Sequence, residues 1–402
     1  MSLELNRVAV QVKAMGQSLT GQTQRRDETK YQMQDLLQRF STAFTDLTAR
    51  LSRVEELQQK ARFEWTGAAP AHEPLAQTYP LPARVKQVTV IASDGSQILP
   101  DHHAITIYYL INIGSIIYQH DSLRKPETYN PSPILCYDPE ETLDEQGRVI
   151  SMSEVNVRRD LAELEVLARL SPAYISPEAK GETAKPVIAL ADGPLALRVI
   201  DLPFTRQQES LHQHIQSLNQ IRDCGALLAG YVDRPHSTFV VSLMHLASLD
   251  IATLNEANLR QNSFRHLTDL DLFDFLGPGE RSAIFMLKAK GLEKYEQTGH
   301  AVHFFYLNVG QSRNRPNIAR VEIPAWLKAH SQGVNILHET LVRQARLSGD
   351  YPYVLARAHE LAIISNEERE AVEMMLAVEM RRHGLTPTPS PKQYNKNLLL
   401  KK

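Results

Sequence analysis

Three carboxylates in this chain stand where an acid is costly unless it does chemistry. The β-branched run Val85–Ser93 predicts a buried strand that stops at Asp94-Gly95-Ser96. A second apolar run, Pro186–Ala191, predicts another that stops at Asp192-Gly193. An acid at the C-terminal edge of a buried strand lies where α/β sheets place ligands. The glycine after it lets the backbone turn sharply and leaves room at the carboxylate. Asp-Gly is also a common turn pair, so either acid alone reads as a turn. Two of them, ending separate core strands, can be brought together by neighbouring strands.

The third acid comes from a predicted helix, Ser153–Leu170, with Ser153 as N-cap. At about 100° per residue, Val157, Leu161, Leu164, Leu167 and Leu170 form a broad apolar face. Glu163 projects at the edge of that face, while Glu165 lies beside Arg158 and Arg169 on the polar side. An inward acid needs a partner. Arg159, four residues earlier, is one partner. A metal ion shared with Asp94 and Asp192 is the other. Oxygen donors select Mg²⁺ or Mn²⁺. Such a site suits phosphodiester hydrolysis, where two ions about 3.5–4 Å apart hold the attacking and leaving oxygens.

The segment Gly349–Leu361 (GDYPYVLARAHEL) adds Tyr351, Arg357 and His359. A lone helical histidine reads first as structural. Joined to three carboxylates, it shifts the preference towards Mn²⁺. There is no GxxxxGK[ST], HExxH, GxSxG or paired CxxC, so the chain carries no ATP-hydrolysing P-loop. His102-His103, just after the first acid, reads as surface with a possible phosphate contact.

These residues must be positioned by a mixed set of elements. Residues 1–66 form an N-terminal helical region in which Met33, Leu37, Phe40, Phe44, Leu47, Leu51 and Val54 step by fours and threes. That seam predicts either a coiled coil or an amphipathic helix packed on its own domain. A Pro-containing linker spans 67–84, the main domain 85–385, and a disordered basic tail 386–402. Within the main domain, strands are expected at His103–Ile111, Gly114–Gln119, Ala226–Tyr231 and Ser237–Met244, with His300–Val309 and Ala319–Ile323 as a hairpin. Helices are expected at Arg206–Asp223, Val334–Leu347, Val354–Ile364 and Glu367–His383. Strands first in a meander, then alternating with helices, predict a mixed α/β sheet.

Composition narrows the rest. Lys+Arg 44 against Asp+Glu 46 excludes a uniformly basic DNA binder but leaves room for a local basic groove. Cys136 and Cys224 are too few for a disulfide framework or a Cys-rich zinc site. The N-terminus lacks a signal-peptide pattern, and the apolar segments are too short to span a membrane, so a cytoplasmic protein is expected.

The order of these motifs resembles the NurA nuclease family. The match runs from Asp94-Gly95-Ser96 through Arg159-x-x-x-Glu163 and Asp192-Gly193 to Gly349-Asp350-Tyr351-Pro352-Tyr353 and Ala358-His359-Glu360-Leu361, roughly residues 85–385. The resemblance implies an RNase H-like (Piwi-like) mixed sheet flanked by helices and Mn²⁺-dependent DNA cleavage, with Mg²⁺ as the alternative ion. It implies a homodimer working with a HerA-like hexameric ATPase in DNA-end resection and repair. It makes Asp94, Glu163, Asp192 and His359 metal-site residues, assisted by Tyr351, with Glu165 as the alternative glutamate. A lysine common in the family is replaced by the Tyr231–Pro235 stretch, where Arg234 is the candidate substitute. Arg313, Arg315 and Arg357 are further DNA-binding candidates, and Arg320 near Tyr306 adds to a basic and aromatic second half. The competing readings are a non-catalytic DNA-binding adaptor that keeps the fold and a metal phosphohydrolase of small substrates.

Overall fold

A computed structural model describes residues 4–60, 63–101, 104–175, 185–330 and 332–386, without the side chains of residues 17–25. The strands are β1 (Gly67–Pro70), β2 (Thr89–Ile98), β3 (Tyr109–Gln119), β4 (Glu127–Tyr129) and β5 (Ile134–Cys136). They continue as β6 (Val187–Asp192), β7 (Leu227–Asp233), β8 (Phe285–Lys288), β9 (Val302–Asn308) and β10 (Ile318–Pro324). The longer helices are α1 (Leu5–Arg39), α2 (Phe44–Lys60), α3 (Met152–Leu170) and α4 (Phe204–Cys224). After them come α5 (Phe239–Ser248), α6 (Gly333–Leu347), α7 (Tyr353–Ala362) and α8 (Asn366–Arg382).

The chain divides into two compact units, each made of discontinuous segments. The first takes Met1–Leu81, Val232–Glu296 and Ala301–Glu322. The second takes Pro82–Tyr231, Gln297–His300 and Ile323–Lys402.

In the second unit, β2 is flanked by β3 and β6. It pairs antiparallel with β3 and parallel with β6, which in turn pairs parallel with β7. β4 and β5 pair antiparallel with β3 on its far side. An antiparallel meander continued by two strands parallel to its first member is the RNase H-like order expected from the sequence. Helices α3 and α7 pack on β2 and β3. A central strand covered on both faces needs apolar side chains on both, which is why Val90, Ile91 and Ala92 are all fully buried. Helix α3 begins at Ser151, whose hydroxyl accepts from the Glu154 backbone N–H at 3.2 Å, rather than at the expected Ser153. Both candidates are serines near a helix start; Ser151 alone holds the extended backbone an N-cap requires.

β2 also differs from expectation. It does not stop at Asp94 but runs on to Ile98, because β3 keeps pairing with it through Ile98↔Leu110. Only the parallel ladder with β6 ends there, at Ser93↔Ala191. The expected break near Asn112 is likewise absent, since β3 is one continuous strand.

The first unit orders its strands β1-β8-β9-β10. The segment read as a linker therefore contains a strand: Gly67–Pro70 pairs antiparallel with β8. The heptad seam is broken between α1 and α2, and Met33, Leu37, Leu47, Leu51 and Val54 are buried against the unit's own elements. The amphipathic reading thus describes them. Ser237–Met244, expected as a strand, instead runs into helix α5, which starts at Phe239. Its core is a short, mostly apolar run, too short for a period to separate the two structures. A remote residue decides: the Asp269 carboxylate accepts from the backbone N–H of Phe239 at 2.8 Å and of Val241 at 2.9 Å, capping a helix start.

Both cysteines are free thiols. Among the described residues no helix is long and apolar enough to cross a membrane. Residues 387–402 of the expected tail and the His102-His103 pair lie outside the described residues.

Candidate active site

Asp94, Glu163, Asp192, Tyr351 and His359 all belong to the second unit. Asp94 sits on β2 and Asp192 at the end of β6. The last parallel pair, Ser93↔Ala191, sets the two acids level on neighbouring strands. The side chains then meet in pairs. His359 Nδ1 lies 2.7 Å from Asp94 Oδ2. A carboxylate can only accept, so Nδ1 carries a proton in this contact and Nε2 is the ring nitrogen left out of it. The Tyr351 hydroxyl donates to Asp192 Oδ2 at 3.1 Å. The Tyr351 ring is held edge-on against Tyr231, with centroids 5.6 Å apart.

Glu163 reaches the site from α3. It is buried, whereas Glu165 on the same helix is exposed. Gly95 makes its approach possible: a Cβ at that position would lie 2.6 Å from Glu163 Oε1 and 2.7 Å from Arg159 Cγ. Burial pushes the Glu163 carboxyl well above the usual range, Asp160 adds to this, Arg159 opposes it, and Asp94 and Asp192 raise it further. Arg159 Nε stands 3.1 Å from Glu163 Oε1. That contact is an ion pair without hydrogen-bond alignment, and both atoms are otherwise buried without a hydrogen bond. The same guanidinium donates to Asp160 Oδ1 at 2.7 Å and to Gln97 Oε1 at 3.0 Å. Burial alone would depress Arg159, but Asp160 and Glu163, with Asp94, hold its pKa up.

Asp160 is a site acid that sequence reasoning missed. Burial raises its carboxyl, Arg159 opposes this, and Asp94 adds to the rise. Its signal was its place three residues before Glu163, on the same side of α3.

Among the described residues, no group of three or more His, Cys, Asp or Glu side chains could hold a metal ion as arranged. The acids are instead drawn onto Arg159, Tyr351 and His359. The donor chemistry nevertheless fits a hard divalent cation: carboxylate oxygens with one imidazole, a surplus of negative charge around Glu163, and a Glu163 oxygen lacking a hydrogen bond.

The basic candidates divide between the units. Arg234, Arg313 and Arg315 belong to the first unit. Arg234 donates to Asn317 Oδ1 at 3.2 Å. Arg320 is buried in an ion pair with Glu322 at 2.9 Å, so it is a packing residue of the first unit. Arg357, on α7, is paired with Glu360.

The NurA domain family model matches residues 88–364, most of the chain. The chain belongs to the NurA family. Membership in this nuclease family supports a nuclease, a hydrolase of phosphodiester bonds. No curated protein matches the chain. Among solved structures, a similar chain is the catalytic domain of human endonuclease V. It is 12% identical, with 81% of this chain and 96% of that chain covered and a TM-score of 0.31. A likeness at that level carries no argument.

Proposed function

We propose that this NurA-family chain is a metal-dependent deoxyribonuclease, with Asp94, Glu163, Asp192 and His359 as ion-holding residues and Tyr351 beside them. The observation that carries this reading is the electrostatic state of Glu163. It is buried, with Asp160, Asp94 and Asp192 all pushing its carboxyl up. Such charge is tolerated in a fold when a cation offsets it. Mn²⁺, or Mg²⁺ in its place, would supply charge stabilisation at the scissile phosphate and an activated water. Asp94 fixes the His359 ring through Nδ1 and so aims Nε2 outward. Tyr351 holds Asp192 to one orientation through its hydroxyl hydrogen. Arg159 neutralises the acids in the absence of an ion.

The same reading includes a cytoplasmic homodimer that acts in DNA-end resection with a HerA-like hexameric ATPase. Its support is the family resemblance, together with a chain that has no P-loop with which to move along DNA. The second reading, a DNA-binding adaptor without activity, is disfavoured because every acid of the motif is present.

The test is purified protein with Mn²⁺, Mg²⁺ or EDTA on end-labelled single- and double-stranded DNA. Cleavage restored by Mn²⁺ and abolished by EDTA is expected. Activity undiminished by EDTA would overturn the metal reading. DNA binding without cleavage under any condition would establish the adaptor instead.

A further inference from the structure

β2 and β3 present two facing residue pairs to helix α7. Asp94 is opposite Gly114, and Ser96 is opposite Asn112. Residues two apart on a strand share a face, so all four point the same way. The first pair contains the partner of His359. The second does something different: the Ser96 hydroxyl and the Asn112 side-chain amide both donate to one acceptor, the backbone carbonyl of Ala362, the latter at 2.8 Å.

Ala362 is the last residue of α7, and its carbonyl has no partner within the helix. Terminal turns fray unless such carbonyls are satisfied. His359 lies three residues earlier, in that same last turn, on the side that faces the strands. Gly114 completes the seat. A Cβ there would stand 2.5 Å from Ala362 N and 2.6 Å from the Leu361 carbonyl carbon, so only glycine lets the helix end come this close. The other end of α7 is tied separately, where Gln344 Oε1 accepts from the Val354 N–H at 3.1 Å.

We propose that Ser96 and Asn112 form a carbonyl clamp on the end of α7 that positions His359 for its hydrogen bond with Asp94. The two are positioning residues: neither touches the imidazole. The proposal rests on the reading of His359 as a site residue, and its test is arranged to stand apart from that reading.

The measurement is the side-chain ¹⁵N spectrum of histidine-labelled protein without metal, with the His359 resonances assigned by their loss in His359→Ala. Wild type should show a protonated Nδ1 held to Asp94, and Asp94→Asn should move those resonances. Ser96→Ala combined with Asn112→Leu should move them in the same direction, while Ser96→Thr, which keeps the hydroxyl, should leave them in place. Asn112→Ala alone, a milder change, should give a smaller shift and serves if the double variant does not fold. In cleavage assays the clamp variants should lose roughly 10-fold in kcat with KM for DNA unchanged, as supporting partners of a metal-binding histidine do. His359 resonances unmoved in both Asn112 variants would overturn the clamp. A wild-type protein that cleaves no DNA would remove the nuclease reading, yet leave the clamp to be judged on the spectrum alone.

Discussion

His359 Nδ1 and Asp94 Oδ2 stand 2.7 Å apart although 265 residues separate them in the sequence. The contact joins the second strand of the chain to one of its last helices. It ties Nδ1 of the imidazole to the protein and leaves Nε2 out of the contact. His359→Ala is therefore expected to lower DNA cleavage by at least about 100-fold, the upper end of what supporting partners of a metal site cost. The His359 side chain is 62% exposed, so the melting temperature should barely move. A variant that melts early but cleaves normally would mark His359 as structural.

Glu163 and Glu165 are a buried and an exposed acid on one helix. Glu163→Gln removes an ionisable group whose charged form burial and three neighbouring acids oppose. It should abolish most cleavage while raising stability by about 1 kcal/mol, or roughly 2–4 °C in a domain of this size. Glu165→Gln, at an exposed position, should change neither. Cleavage kinetics and calorimetry on the pair check both halves.

Gly95→Ala probes the space through which Glu163 approaches the strand. The added methyl would meet Glu163 Oε1 at 2.6 Å. Overpacking of this kind costs about 1–3 kcal/mol, and here it also displaces a site carboxylate. Loss of both stability and cleavage is expected, measured by urea denaturation and the DNA assay.

Stability should depend on pH in opposite senses at two buried groups. Burial pushes His214 down to about 3, with His300 adding to the effect. The unfolded chain takes up that proton near pH 6.5 and the folded one does not. His214 thus costs stability as pH falls from 6.5 towards 3, by about 1.4 kcal/mol per pH unit. Asp269 is raised to about 6, by burial against the opposing hydrogen bond from Tyr306 and the backbone N–H groups of α5. Its folded form keeps a proton that the unfolded form loses, so its contribution to stability is lost as pH rises from 3.8 to 6. Melting curves across pH 4–7 should become flatter on the acid side in His214→Leu. Asp269→Asn should tilt them the other way. Parallel curves for wild type and both variants would contradict these assignments.

The N-terminal helices should matter for folding before they matter for association. Leu47 is fully buried in the first unit, so Leu47→Ala is expected to cost about 2–5 kcal/mol. Chemical denaturation gives the value. An unchanged midpoint would return these helices to the self-association role.

Much of this arrangement is legible in the sequence, and what is not has physical reasons. Apolar runs mark β2 and β6 because strands covered on both faces are built mostly of apolar residues. The helical phase separates Glu163 from Glu165 because, past its first residue, α3 exposes only the narrow strip that carries Glu165 and Arg169. The end of β2 is not legible, since it is set by pairing with a distant strand rather than by Asp94-Gly95. Helix α5 is hidden by its short, mostly apolar run and is decided by Asp269, thirty residues from the helix start it caps. Within the site, the pairing of acids with Arg159, Tyr351 and His359 follows from tertiary contacts that no local spacing encodes.

The segmented build of the second unit also bears on how the protein is made. Asp94, Glu163 and Asp192 leave the ribosome early, whereas Tyr351 and His359 arrive only with the stretch that begins at Ile323. Between those two moments the growing chain passes through the whole middle and late part of the first unit. A nascent chain, or one ended early by a stop codon anywhere from 193 to 350, holds every acid of the motif but neither the hydroxyl nor the imidazole that steadies them. Translation order therefore delivers the three acids long before the groups that hydrogen-bond Asp94 and Asp192.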